Sequence, residues 1–116
     1  MNVVTAIGNL ATDVSVREVN GDHKVANFLL AIDRPTKDGG ADFIPVCVWD
    51  KQAETCERFL AKGRKVALDG RLRSRSWEEG GKRRTAIEIV ANRVQFLSGP
   101  NDAAGAEEVF EAAATS

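Results

Sequence analysis

The stretch "DKQAETCERFLAKGRKVALDG", residues 50–70, changes its periodicity midway. In its first half Ala53, Cys56, Phe59 and Leu60 recur at helical spacing, Asp50 can cap the start, and Gly63 sits just past the end, which predicts a helix over 50–62. From Arg64 onward the period falls to two, with Val66, Leu68 and Leu72 on one parity and Arg71, Arg73, Arg75 and Trp77 on the other. The apolar segments elsewhere are short and rich in β-branched residues, so this helix is set into an otherwise all-β chain.

Upstream, "FIPVCVWD" reads as a strand, and Pro45 inside it argues for an edge position or a bulge. The loop "RPTKDGGAD", residues 34–42, precedes it. Residues 14–33 form a hairpin turning at Asn20-Gly21, a pair suited to left-handed backbone angles. The first strand, "NVVTAIGNL", ends at Gly8-Asn9. Downstream, Gly80-Gly81 turns the chain into "TAIEIVANRVQFL", whose apolar parity shifts after Val90 and so predicts a bulge. Gly70 suits a sharp bend or bulge in a strongly coiled sheet. The order is strand, hairpin, strand, helix, strand, strand.

At 116 residues the chain fits one small domain. No segment has the ~18 apolar residues of a membrane span, and no signal-peptide pattern opens the chain, so a soluble, cytoplasmic protein without membrane association is expected. Charge is segregated. Residues 1–99 hold 16 Lys+Arg against 13 Asp+Glu, a net of +3, whereas 100–116 hold four acids and no base. Residues 64–93 concentrate the excess, with nine bases against four acids, a candidate polyanion footprint. From 99 to 116 the chain is acidic and alanine-rich, with Val109 and Phe110 its only bulky apolar residues, and it reads as a short flexible tail.

Catalytic chemistry finds no foothold. The single histidine, His23, lies beside the hairpin turn without a nucleophile motif, no phosphate-cradling glycine loop precedes a helix, and the paired acids fall on a turn and in the tail. The protein is therefore not expected to be an enzyme or to hold a cofactor. Cys47 and Cys56 read as reduced thiols, and one histidine with two separated cysteines does not make a metal site.

The stretch "GRLRSRSW" is different, because three guanidinium groups and an indole share one face of a strand. Single-stranded nucleic acid pairs a line of phosphates with unstacked bases, and cations with flat rings beside them match it. A solvated strand face usually interleaves acids, and this one does not. Lys82, Arg83 and Arg84 extend the charge across the hairpin tip. For Phe43 and Trp49, on one parity of their strand, the sequence leaves core and surface open, whereas Phe28, Phe59 and Phe96 are assigned to the core.

These residues are similar to those of the bacterial single-stranded DNA-binding proteins over residues 1–97. "AIGNLATDVSVR", "VANFLLA", "AETCERFLAKGRKVALDGRL" and "RLRSRSWEEGGKRRTAIEIVANRVQFL" follow the family's motifs in order. The resemblance implies an OB-fold domain over 1–98, a five-stranded Greek-key barrel with one α-helix between its third and fourth strands. It further implies stacking roles for Trp77, Phe43 and Trp49, phosphate contacts for Lys62, Arg71, Arg73 and Arg75, and a homotetramer. It carries the expectation of coating single-stranded DNA in replication, repair, recombination or DNA uptake, in association with the nucleoid. Two departures stand out. The 34–42 loop lacks a tryptophan that many members carry, and the tail lacks the long linker and terminal Pro-Phe tip that recruit other enzymes, as in a short-tailed auxiliary paralogue. The rival readings are a module that docks an acidic protein through its basic face and a binder of single-stranded RNA.

Overall fold

A computed structural model describes residues 1–97; the acidic tail expected from residue 99 lies outside the described residues. Among the described residues, six strands and one helix run in the order β1 (Val4–Leu10), β2 (Ser15–Val19), β3 (His23–Asp33), β4 (Ala41–Trp49), α1 (Asp50–Phe59), β5 (Lys65–Glu79) and β6 (Lys82–Leu97). The sheet runs β2-β3-β4-β6-β5-β1, and an added β1–β3 pairing closes it into a ring. Closure removes the open edges that a free sheet would expose.

β1 and β2 act as one barrel strand with a break. Leu10 pairs with Leu30 and Ser15 with Asn27, so the four residues Ala11–Val14 answer two on β3, two more than the register requires. The break is stitched down: the Ala11 N–H donates to the Leu29 carbonyl (2.7 Å) and the Leu29 N–H to Thr12 Oγ1 (3.1 Å). Counted this way the barrel has five strands, with α1 after the third. The topology is that of an OB-fold, including the parallel closure in which Val46 and Cys47 pair with Ile89 and Val90.

The core follows from strand alternation. Leu10, Phe28, Leu30, Val46, Val48, Val66, Leu68, Ile89, Val94 and Phe96 point inward, and α1 adds Ala53 and Cys56, with Leu60 just after it. The hairpin turns at Asn20 and Gly21, both at positive φ. The bulge falls where the parity shift put it: Asp69 pairs with Arg93 but Gly70 with Ala91, leaving Asn92 as the extra residue on β6. At Gly70 a Cβ would lie 2.1 Å from the Val90 carbonyl oxygen, so the two backbones approach too closely for any side chain.

Four expectations need correction. The helix ends at Phe59, not 62, because Leu60 leaves helical geometry at φ −106 and ψ 148. Asp50 does not cap it: at φ 55 its carboxylate turns back to accept from the Lys24 N–H (3.3 Å) and to meet His23 Nδ1 (3.2 Å), tying the helix start to β3. Phe59 is 42 % exposed, tilted against Phe96 at 6.3 Å beneath the Arg58 guanidinium, so the helix buries Cys56 in its place. Pro45 lies in a strand flanked on both sides and without a bulge. It is accommodated because Leu29, opposite it, spends both backbone groups on Ala11 and Thr12, and because β6 pairs only with Val46 and Cys47.

Candidate nucleic-acid interface

Side chains paired across neighbouring strands face the same side of a sheet, so the register maps the outer wall of the barrel. On β5 and β6, Arg71 lies opposite Val90, Arg73 opposite Glu88, Arg75 opposite Ala86, and Trp77 opposite Arg84. The parallel step from Val90 to Cys47 carries this wall onto β4, with Phe43, Pro45, Cys47 and Trp49. From there it passes to Val25 and Asn27 on β3 and to Arg17 on β2. Arg17, Val25, Asn27, Cys47, Trp49, Arg73, Arg75 and Glu88 border one small pocket of about 90 Å³. Residues from five strands thus converge on a single face.

The aromatic side chains occupy it differently. Phe43 is 57 % exposed and Trp77 38 % exposed. Trp49 is half-buried on a small outer cluster of Val25, Cys47 and Val90, with the His23 ring edge-on at 6.4 Å. All three lie outside the barrel core, which settles the alternative the sequence left open for Phe43 and Trp49.

The arginine ladder is not bare. Glu88, only 7 % exposed, accepts from Arg73 Nη2 at 3.0 Å and lies 3.4 Å from Arg75 Nε. Arg73 also points a nitrogen at Cys47 Sγ, 3.6 Å away. The Arg75 guanidinium lies over the Trp77 ring at 5.2 Å, and the indole N–H donates to Glu79 at 3.1 Å. Burial, with the Glu88 carboxylate beside it, pushes the Cys47 thiol up to about 11. Burial alone pushes Cys56 up to about 12, so both stay protonated at neutral pH. Among the described residues no three His, Cys, Asp or Glu side chains gather as a metal site.

Of the sequence-predicted site residues, Arg71, Arg73, Arg75, Trp77, Phe43 and Trp49 share this wall. Lys82 and Arg84, opposite Glu79 and Trp77, extend it toward the hairpin tip, whereas Arg83, opposite Glu78, projects from the other face. Lys62 stands apart. It lies in the turn before β5, its N–H donating to Asp13 (2.9 Å), roughly 30 Å along the strand from Arg75. Arg17 and Glu88 escaped the sequence reading. Arg17 becomes visible only once the hairpin register sets it beside Val25, and Glu88 only once the bulge fixes which β6 residue faces Arg73.

Comparison with known proteins agrees with this architecture. The model of the single-strand binding protein family matches residues 1–97. A single-stranded DNA-binding protein of Clostridium tetani is 41 % identical over 115 residues, covering 95 % of this chain and 79 % of that protein. Single-stranded DNA-binding protein 3 of Clostridium acetobutylicum is 44 % identical over 102 residues, covering 84 % and 71 %. Its namesake in Listeria innocua is 43 % identical over 110 residues, covering 90 % and 69 %. With its closed barrel and a match spanning every described residue, the chain belongs to the single-strand binding protein family.

Proposed function

We propose that the protein binds single-stranded DNA with little sequence preference, stacking bases on Trp77, Trp49 and Phe43 while Arg71, Arg73, Arg75, Lys82 and Arg84 track the phosphates. The observation that carries this reading is the convergence of three outward aromatic rings and the arginine ladder on one wall. A duplex hides its base faces and gains little from such a wall, whereas each base stacked on a ring contributes ~1–3 kcal/mol. Arg83 and Lys62 join only if the strand wraps beyond the wall, over the back of the hairpin and round to the start of β5. The function is binding and protection, without a catalytic step.

The test is a titration of intrinsic tryptophan fluorescence with an oligo-dT strand and with a matched duplex. Quenching by the strand alone is expected, with log affinity falling against log salt by ~0.7 per neutralised phosphate. Equal or absent quenching by both would overturn the reading.

The same proposal covers assembly as a homotetramer. Its support is apolar surface on and just before β1, where Val3 and Ile7 are 69 % and 55 % exposed, beside a cavity of about 470 Å³ bordered by Thr5, Ala67, Asp69 and Gln95. Four copies of a 12.5 kDa chain would give a light-scattering mass of ~50 kDa. The setting proposed is the cytoplasm and its nucleoid, where strands are exposed during replication, repair, recombination or uptake. Among the described residues no helix is long and apolar enough to cross a membrane.

A further inference from the structure

We propose that Glu88 is the positioning residue of the interface, holding Arg73 and, through Arg75, presenting the indole of Trp77 as a fixed platform before any strand arrives. The inference rests on the single-stranded DNA reading above and extends it to a residue that touches no DNA. Glu88 projects onto the wall from β6 with its carboxylate almost wholly buried. A carboxylate there is costly unless it is paired. It is paired twice, one oxygen near Arg73 Nη2 at 3.0 Å and the other near Arg75 Nε at 3.4 Å, and the Cys47 thiol is the third group beside it.

The geometry of Arg75 is the informative part. Its Nε is turned to Glu88 and its Cζ lies over the Trp77 ring at 5.2 Å, which leaves the two terminal nitrogens as the donors not turned to Glu88 Oε1. One guanidinium thus does three things: it is anchored at Nε, covers one face of the indole, and leaves its terminal nitrogens for a phosphate. Trp77 is then fixed at two places, by Arg75 over one face and by Glu79 at its N–H, and it stays exposed to solvent. Without Glu88, two arginines two residues apart on one strand face repel each other, and the long side chain of Arg75 is ordered only when a ligand binds.

Positioning and plain electrostatics predict opposite signs, which makes the idea testable. If Glu88 merely offsets nearby positive charge, removing its charge strengthens attraction to a polyanion. If it positions the relay, removing it weakens binding, because the ordering cost moves into the binding step.

The experiment uses the full chain carrying Trp49→Phe, in which Trp77 is the only indole, and compares it with and without Glu88→Gln. Two quantities are read: the fluorescence anisotropy decay of Trp77 in free protein, and oligo-dT affinity at fixed salt. Glu88→Gln is expected to add a fast, large-amplitude motion of the indole and to weaken oligo-dT binding roughly five- to tenfold, the scale of ordering one long side chain. Arg75→Lys, which keeps the charge and loses the planar fork, is expected to mobilise the indole with Glu88 intact, and it stands in if the glutamine variant does not fold. Unchanged indole motion in the folded variants, or tighter binding by Glu88→Gln, would overturn the proposal. The anisotropy is measured without DNA, so failure of the unsubstituted chain to bind oligo-dT would count against the functional reading alone.

Discussion

From Lys65 to Gly70, β5 sends alternate side chains into the core, and from Arg71 to Glu79 the same strand buries none. β6 mirrors it, exposed from Lys82 to Thr85 and buried at Val94 and Phe96. The two halves of this ribbon share one antiparallel ladder but are held in different ways. The barrel half is fixed by apolar burial, with Val66 and Leu68 packed against β1 and the rest of the core. The outer half, beyond the bulge, keeps a buried foot at Ile89 and Ala91 on β6, and from there to its tip it is ordered by its backbone pairing, the Glu88–arginine cluster and contacts such as Ser76 with Thr85. On β5 the buried residues stop at Gly70, whereas on β6 burial continues outward through Glu88–Ala91, so only the tip, Arg71–Glu79 with Lys82–Ile87, contributes no buried side chain.

Four experiments probe that division, from the largest effect to the smallest. Leu68→Ala, in the barrel half, should cost roughly 2–5 kcal/mol in urea unfolding while leaving oligo-dT affinity per folded molecule unchanged. Gly70→Ala tests the junction. Its Cβ would strike the Val90 backbone, which cannot swing aside as a side chain does, so a loss of roughly 2–3 kcal/mol is expected; a neutral result would mean that the strands can separate there freely. Trp77→Ala should reverse the first pattern, with ~1–3 kcal/mol lost in DNA binding and less than that in stability. The last is a pH test of the barrel. The Cys56 thiol stands at about 12 in the folded chain against an ordinary 9.0, so folding favours its protonated form. This contribution is complete below pH 9 and is lost as pH rises toward 12, by about 1 kcal/mol at pH 10. Cys56→Ala should flatten that alkaline decline.

Period carried most of the fold into view. The single helix, the Asn20-Gly21 hairpin and the parity slip after Val90 are local signals, and each corresponds to a local backbone event. Where the reading slipped, a distant contact decided the outcome. Asp50 turned from the helix to Lys24 on β3, and Pro45 was tolerated because Thr12 and Ala11 occupy the backbone of Leu29. The site was legible as far as one strand extends: Arg71, Arg73, Arg75 and Trp77 lie on a common face by alternation alone. Glu88 and Arg17 belong to it through strand pairing, which cannot be counted off from spacing along one segment. Lys62 entered through family resemblance and not through pattern, and it lies in the turn before β5, outside the paired strands of the ladder.

The ends of the described chain are tied to β5 at two places, its middle and its start. Asn2 donates its amide to the Leu72 carbonyl (2.8 Å) and accepts the Leu72 N–H (2.9 Å), one rung beyond the Val4–Gly70 pair, while Leu97 pairs with Lys65. A label joined ahead of Met1 would therefore crowd the foot of the arginine-bearing arm. One attached after Leu97 would depart roughly 20 Å away along the strand, and that end is the one to choose for tethering the molecule to a surface.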